Sequence, residues 1–294
     1  MKKFKLTPII AKRLLSHVKQ PDHWFGLKYN MNLYRGCQHQ CIYCDTRSEC
    51  YQITDFENEI LYKENAIELL RKELATKRLK GVIGLGSMND PYQPLEIELQ
   101  LTHRALQVIA EFGFPIHIIT KSSLILNDLE FIKQINRIYA SISFTITTTD
   151  DELAKKIEPG ASLPSQRFEA MKILTENGIQ VGISLMPILP FIEDNVKNIQ
   201  QIMKKAHDAG VKYIIPGFGM SMRDRQRDYY YLKLDEHFPG LKKKYINKFG
   251  ASYSCEPNNY QNLKKTYKNL CKEYTISSGI IQYNDIKEKQ LTLF

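Results

Sequence analysis

Between residues 28 and 220, short β-branched runs alternate with longer stretches of helical periodicity, and this alternation restricts the fold more than any other feature. Apolar residues near i, i+3 and i+4 mark "ENAIELLRKELATK", "IELQLTHRALQVIAEFG", "LNDLEFIKQINR", "LPSQRFEAMKILTENG" and "NVKNIQQIMKKAHDAG" as helices. Around them "KYNMNLYRG", "GVIGLGSM", "FPIHIITKS", "YASISFTIT", "IQVGISLMPIL" and "VKYIIPGFGM" read as strands. Gly113 and Gly178 stop two of the helices, and Asn127 or Asp128 stands where a third needs an N-cap. Six βα units predict a parallel sheet with right-handed crossovers. They are too few for a closed eight-stranded barrel. An open partial barrel and a doubly wound sheet both satisfy the pattern, and either places ligands at the C-terminal strand ends.

Outside this core the text changes. Residues 1–27 form a basic N-terminal extension: over residues 1–30, Lys2, Lys3, Lys5, Lys12, Arg13, Lys19 and Lys28 face Asp22 alone. Residues 221–289 read as a mostly helical appendage rich in tyrosine and lysine, with clusters such as "LKKKY" and "LKKTYKNL". The formal net charge of +9 is concentrated at these two ends, which suits phosphate binding as well as simple solubility. The longest apolar run, "VGISLMPILPFI", is broken by proline and too short for a membrane span, and the N-terminus has no signal-peptide pattern. A cytoplasmic protein is expected. Six cysteines, three of them crowded into one loop, suit a reducing compartment better than a disulfide framework.

That loop is "YRGCQHQCIYCD", with Cys37, Cys41 and Cys44 spaced C-x3-C-x2-C. Structural zinc takes four closed ligands, and His39 or Cys50 is near enough in sequence to be the fourth. No second C-x2-C or H-x3-H arm appears, however. An iron-sulfur cubane held by three thiolates leaves one iron open, and an open position is where a metal site does chemistry.

With Tyr43 just before the third cysteine, the loop resembles the C-x3-C-x-aromatic-C signature of the radical S-adenosylmethionine (radical SAM) superfamily. The resemblance implies a (β/α)6 partial TIM barrel with its cluster loop after the first strand. It implies a 4Fe–4S cluster on Cys37, Cys41 and Cys44, whose fourth iron is chelated by S-adenosyl-L-methionine (AdoMet). Reduction by an unidentified donor such as flavodoxin or ferredoxin would cleave AdoMet to methionine and a 5'-deoxyadenosyl radical, which takes hydrogen from substrate.

Four further stretches, "GSMNDPYQPLE", "ITKSSLILNDLEFI", "TTTDDELAKKIEPGASLPSQRFEAM" and "GISLMPILPFIED", resemble the spore photoproduct lyase-like branch in order and spacing. By that analogy Tyr43, Ser87, Asn89 and Asp90 belong to the cofactor pocket, the last three facing the methionine half of AdoMet. Lys121 reaches its carboxylate as a point charge. Ser143 and Thr145 or Thr147 are ribose contacts, Met186 flanks adenine, and Glu158 and Arg167 bracket a turn beside the pocket. Two departures stand out. The lyase returns hydrogen from a cysteine at the second strand's end, where this chain has Ser87 or Met88, and it has tyrosine where Asp45 stands. A serine O–H is too strong a bond to quench a carbon radical. Cys50 is expected to be a small buried apolar residue, and Cys255 and Cys271 core or incidental thiols.

The last residues, "QLTLF", resemble the peptides by which bacterial repair proteins bind the sliding clamp: Gln290 supplies the polar contact and Leu291, Leu293 and Phe294 the apolar anchors. Branch, basic ends and tail together point to a radical SAM enzyme acting on DNA, at a lesion or modified base. The tyrosines of "DYYYLK" are candidates for stacking bases or for helix packing. The alternatives are radical chemistry on RNA, a protein side chain or a metabolite, and a non-enzymatic iron-sulfur or zinc module that docks on nucleic acid.

Overall fold

The computed structural model describes residues 3–19 and 24–283; Gln290, Leu291, Leu293 and Phe294 lie outside the described residues. In chain order the elements begin with β1 (Lys5–Ile9), β2 (Leu15–His17), β3 (Tyr29–Met31), β4 (Tyr34–Arg35), β5 (Glu59–Lys63), α1 (Ala66–Ala75) and β6 (Ile83–Leu85). There follow α2 (Glu96–Leu99), α3 (Leu101–Phe112), β7 (Ile116–Thr120), α4 (Leu129–Asn136), β8 (Ala140–Thr145), α5 (Asp151–Ile157), α6 (Pro164–Glu176), β9 (Gln180–Ile188) and α7 (Val196–Asp208). The chain continues through β10 (Tyr213–Phe218), β11 (Met220–Ser221), α8 (Asp224–His237), α9 (Leu241–Phe249), β12 (Ser254–Cys255) and α10 (Tyr260–Glu273).

Strand order decides between the two architectures that periodicity left open. The main sheet runs β10-β9-β8-β7-β6-β3-β2, with β3 through β10 parallel and β2 antiparallel at the edge. Chain order equals spatial order with no reversal. A doubly wound sheet needs a switch point where the order reverses; same-direction right-handed crossovers instead put every helix on one face and curl the sheet into a partial barrel. The outer face of the strands, including Ile118, Ile142, Phe144, Ile183 and Leu185, is buried in one cluster with apolar residues of α1, α3, α4, α6 and α7. Each such side chain contributes roughly 1.5–3 kcal/mol by leaving water.

The inner face carries polar residues that find partners. The Tyr213 hydroxyl lies 2.9 Å from Ser141 Oγ and 2.8 Å from Ser143 Oγ. Gly182 makes room for that ring: a Cβ there would sit 2.1 Å from it. Phe25 stacks on His117 at 4.3 Å, and Leu27 lies where a Cβ on Gly84 would meet it at 2.5 Å. The segment before β3 thus fills the lower interior of the open barrel.

Several local expectations are corrected. "KYNMNLYRG" splits into β3 and β4, which enter different sheets; β4 pairs with β5, and β5 with β1. The helix expected over 97–112 breaks at Gln100, whose φ is +48°. Buried Glu96 explains the break: its two carboxylate oxygens accept the Thr102 N–H, each at 3.0 Å, and it takes the Tyr34 hydroxyl. Asp128 does not cap α4 with its side chain; it accepts from the Tyr92 hydroxyl at 2.8 Å and meets His103 Nδ1 at 2.6 Å. Within "DYYYLK", Tyr230 is buried with its hydroxyl 2.9 Å from that of Tyr245, and half-buried Tyr229 lies under the Arg47 guanidinium at 3.3 Å, so both rings are engaged in packing against the protein.

Candidate active site

The cysteine loop leaves β4 at Gly36, whose φ is +88°; a Cβ there would meet the Glu59 carbonyl oxygen at 2.9 Å. It is then tied from several sides. Gln40, at φ +51°, donates from Nε2 to the carbonyls of Cys37 at 2.8 Å and Phe56 at 2.9 Å, and accepts from Arg47 at 2.8 Å. The Gln38 N–H donates to Gln93 at 2.9 Å, and the Gly160 N–H donates to the His39 carbonyl at 3.0 Å. A Cβ on Gly160 would meet the Gln38 carbonyl oxygen at 2.2 Å, so only glycine permits this approach. The Ile42 N–H donates to the Ile157 carbonyl at 2.9 Å.

The three thiols are free, with Cys37 and Cys41 buried and Cys44 half-buried. Burial, helped by the Asp90 charge, pushes the Cys37 thiol up to about 12, and burial pushes Cys41 up as well. Such sulfurs ionise only when a cation takes the place of the lost water, as coordination to a metal does.

All three line a cavity of about 540 Å³ at the C-terminal ends of the parallel strands. Of the residues singled out in the sequence, Tyr43, Ser87, Asn89, Asp90, Lys121, Thr145 and Met186 also line it. Asp90 organises one wall: its carboxylate accepts from Thr120 Oγ1 at 2.7 Å, the Tyr92 N–H at 2.9 Å and the Lys121 N–H at 2.6 Å. Asn89 donates to the Tyr34 carbonyl at 2.6 Å. Burial works against the Lys121 ammonium, but Cys41, Glu158 and Asp90 outweigh it and hold its pKa above the ordinary lysine value. Its Nζ lies 6.0 Å from the centre of the Tyr43 ring.

Four of the expected residues do not line the cavity. Ser143 lies one inward position below Thr145, bound to Tyr213. Thr147 is buried away from the cavity, its side chain beside the buried Glu193 carboxylate. Glu158 and Arg167 form a buried pair at 2.5 Å behind the cysteine loop, and Glu158 also takes the Tyr43 hydroxyl. Arg167 further donates to the carbonyls of Ser162 at 2.7 Å and Thr145 at 2.9 Å. Cys50, expected to be buried, is exposed; its sulfur lies 3.2 Å from Ser48 Oγ and 3.7 Å from Arg223, and it is not in the cavity wall. Ser87 is exposed and bound to Asn30.

The cavity also has residues that sequence reasoning missed. Ser184 and Gly217 come from β9 and β10, and Tyr253, Ser254 and Glu256 come from the far C-terminal region, which β11 and β12 join to the barrel. Ser184 could have been found as the polar inward neighbour of Met186 on β9. Nothing in the local sequence marks the other four. His39 is buried in the wall, its Nδ1 3.4 Å from Asp90 and without a hydrogen bond among the described residues. Burial lowers its pKa to about 4.

A model of the Radical SAM superfamily matches residues 31–206. A Methanocaldococcus jannaschii protein, described as uncharacterized, is 34% identical over 194 residues, which cover 65% of this chain and 71% of that one. A Mycobacterium tuberculosis protein, also described as uncharacterized, is 26% identical over 257 residues, or 85% of this chain and 75% of its own. Among solved structures, a spore photoproduct lyase variant with bound AdoMet and dinucleoside spore photoproduct matches 92% of this chain and 79% of its own. The TM-score is 0.64 at 14% identity, a likeness of fold.

Proposed function

The chain belongs to the radical SAM superfamily, and on that basis we propose that this radical SAM enzyme acts on DNA, repairing or modifying a base or lesion. The family's cofactors are a 4Fe–4S cluster and AdoMet. A non-enzymatic module is thereby set aside.

The residues present fit both groups. Three free thiols share one cavity wall, and among the described residues no three His, Cys, Asp or Glu side chains converge on a single ion. Thiolates at separate irons of a cluster need no such convergence. Cys37, Cys41 and Cys44 would hold the cluster. Lys121, kept charged, would hold the AdoMet carboxylate, with Asn89 and Asp90 beside it and Thr145 and Met186 toward the nucleoside. His39 Nδ1, 3.4 Å from Asp90 and without a hydrogen bond among the described residues, marks polar capacity left over in the same wall. When bound, the two groups together supply a carbon radical that takes a hydrogen atom from substrate. Glu158 and Arg167 act on this site through Tyr43, as positioning residues. Ser87 is no hydrogen-atom donor, so the reaction ends differently from that of an enzyme with a thiol there.

The observation that carries the DNA reading is at the cavity mouth. Tyr253, 56% exposed, lies 5.3 Å from the Arg223 guanidinium, which is 5.9 Å from the Tyr51 ring. An exposed ring and a planar cation beside a cavity of this size make a stacking surface for an unstacked base. The spore photoproduct lyase structure named above has a dinucleoside ligand, which agrees with this reading. The peptide at 290–294 would tether the enzyme to a sliding clamp, and a low-potential donor such as flavodoxin or ferredoxin would reduce it. The test is 5'-deoxyadenosine formation by anaerobically reconstituted protein, with and without lesion-bearing oligonucleotides. DNA is expected to accelerate it, and Cys41→Ala to abolish it. No acceleration by any oligonucleotide would sink the DNA reading.

A further inference from the structure

We propose that the outer face of α10 is a track for the phosphates of a single nucleic-acid strand whose base enters the cavity. This rests on the DNA reading above and extends it from the cavity to the flank of the barrel.

The helix is fixed by its inner face: Leu263 and Tyr267 are buried, and the Tyr267 hydroxyl donates to the Ile214 carbonyl at 2.6 Å. Tyr260, Lys264, Lys268 and Lys272 recur every fourth residue and so form one row, advancing about 6 Å per step at a rise of about 1.5 Å per residue. The row starts at the cavity. The ring of Tyr260 is 6.0 Å from that of Phe218, which lines the cavity, and Lys264 Nζ is 5.7 Å from Tyr260. It then descends the barrel: α10 begins beside the end of β10, and the chain just beyond it bridges Ser277 to Tyr213 at the start of β10.

Among the described residues, no carboxylate pairs with the lysines of this row. Five lysines on other helices pair with carboxylates three or four residues away, in Lys72–Glu68, Lys133–Glu130, Lys155–Glu152, Lys204–Asp208 and Lys233–Glu236. Lys264, Lys265, Lys268 and Lys272 are exposed and line a groove of about 740 Å³ whose wall, among the described residues, has no carboxylate. Like charges at i, i+4 weaken a helix, so folding does not explain the row. A polyanion laid along it does, and its line of single charges leading from an aromatic mouth fits one strand.

The test uses the full chain carrying Lys264→Ala, Lys268→Ala and Lys272→Ala together, with a charge-preserving triple arginine variant as control. Binding of a fluorescent single-stranded oligonucleotide is measured from about 50 to 200 mM salt, the range over which phosphate contacts are lost. The alanine variant should lower the slope of log K against log salt by about 2, since each phosphate contact on a single strand contributes about 0.7. Iron content and AdoMet binding should not change, and the arginine variant should keep the slope. An unchanged slope in the alanine variant, with tight binding by wild type, overturns the track alone. Failure of wild type to bind any oligonucleotide overturns the DNA reading as well. An unchanged slope with lost affinity for polyglutamate would assign the face to an acidic protein and reject the proposal.

Discussion

Arg167→Met removes the cation of the buried pair while nearly keeping its volume. Both side chains are 1% exposed, and Arg167 makes three hydrogen bonds, to Glu158, Ser162 and Thr145. Removing one partner of such a pair leaves an uncompensated charge and costs about 3–5 kcal/mol. At about 2–4 °C per kcal/mol for a chain approaching this size, Tm should fall by on the order of 10 °C. The effect depends on pH. Burial raises the Glu158 pKa, but Arg167 and Lys121 outweigh it and hold it below the ordinary glutamate value. Its contribution to stability is therefore present above the unfolded pKa and is lost as pH falls through the folded one. In the variant, Glu158 loses its main counter-charge and titrates higher, so the deficit should be largest near neutral pH and shrink toward acid. Scanning calorimetry of the apoprotein at one fixed scan rate measures this, and Glu158→Gln combined with Arg167→Met should recover part of the loss. Because Glu158 holds Tyr43 between Cys41 and Cys44, iron uptake should fall too. A Tm near wild type at neutral pH would refute the reasoning.

Glu193 titrates the other way: burial pushes it up to about 8, and its carboxylate accepts the Leu189 N–H at 3.0 Å. Folded protein keeps this proton while unfolded protein loses it, so stability falls as pH rises from the ordinary glutamate range to about 8. Urea unfolding of Glu193→Gln should lack that fall and exceed wild type at the alkaline end; parallel pH profiles would contradict the assignment. Deleting residues 290–294 should leave AdoMet cleavage intact and abolish sliding-clamp binding in a pull-down with purified clamp, and undiminished binding would dismiss the tether.

The βα alternation is legible in sequence because each element's periodicity is local. Strand order is not, since it depends on which way each crossover turns, and β5 escaped notice because "EILYK" is a short run in a loop-like stretch. The break at Gln100 needs the buried carboxylate of Glu96, a tertiary fact. The spacing of the cysteines and a family resemblance at the strand ends point to one place, and the structure brings Cys37, Cys41, Cys44, Ser87, Asn89, Asp90, Lys121, Thr145 and Met186 to one cavity wall. Tyr253 and Glu256 were not legible, because only the pairing of β11 with β12 brings residues so distant in the chain to the cavity. Glu158 and Arg167 matched a motif, yet burial makes them supports of the cysteine loop and not part of the cavity wall.

The central claim, that this cavity directs a radical onto DNA, is tested most directly by isotope transfer. Reconstituted enzyme, AdoMet and a reductant are mixed with oligonucleotides deuterated at base or sugar positions, and 5'-deoxyadenosine is analysed by mass spectrometry. Deuterium should appear in 5'-deoxyadenosine with one of the labelled substrates and vanish with Cys41→Ala. Cleavage of AdoMet that proceeds with no deuterium from any labelled DNA would contradict the claim and leave RNA, a protein side chain or a metabolite as the substrate.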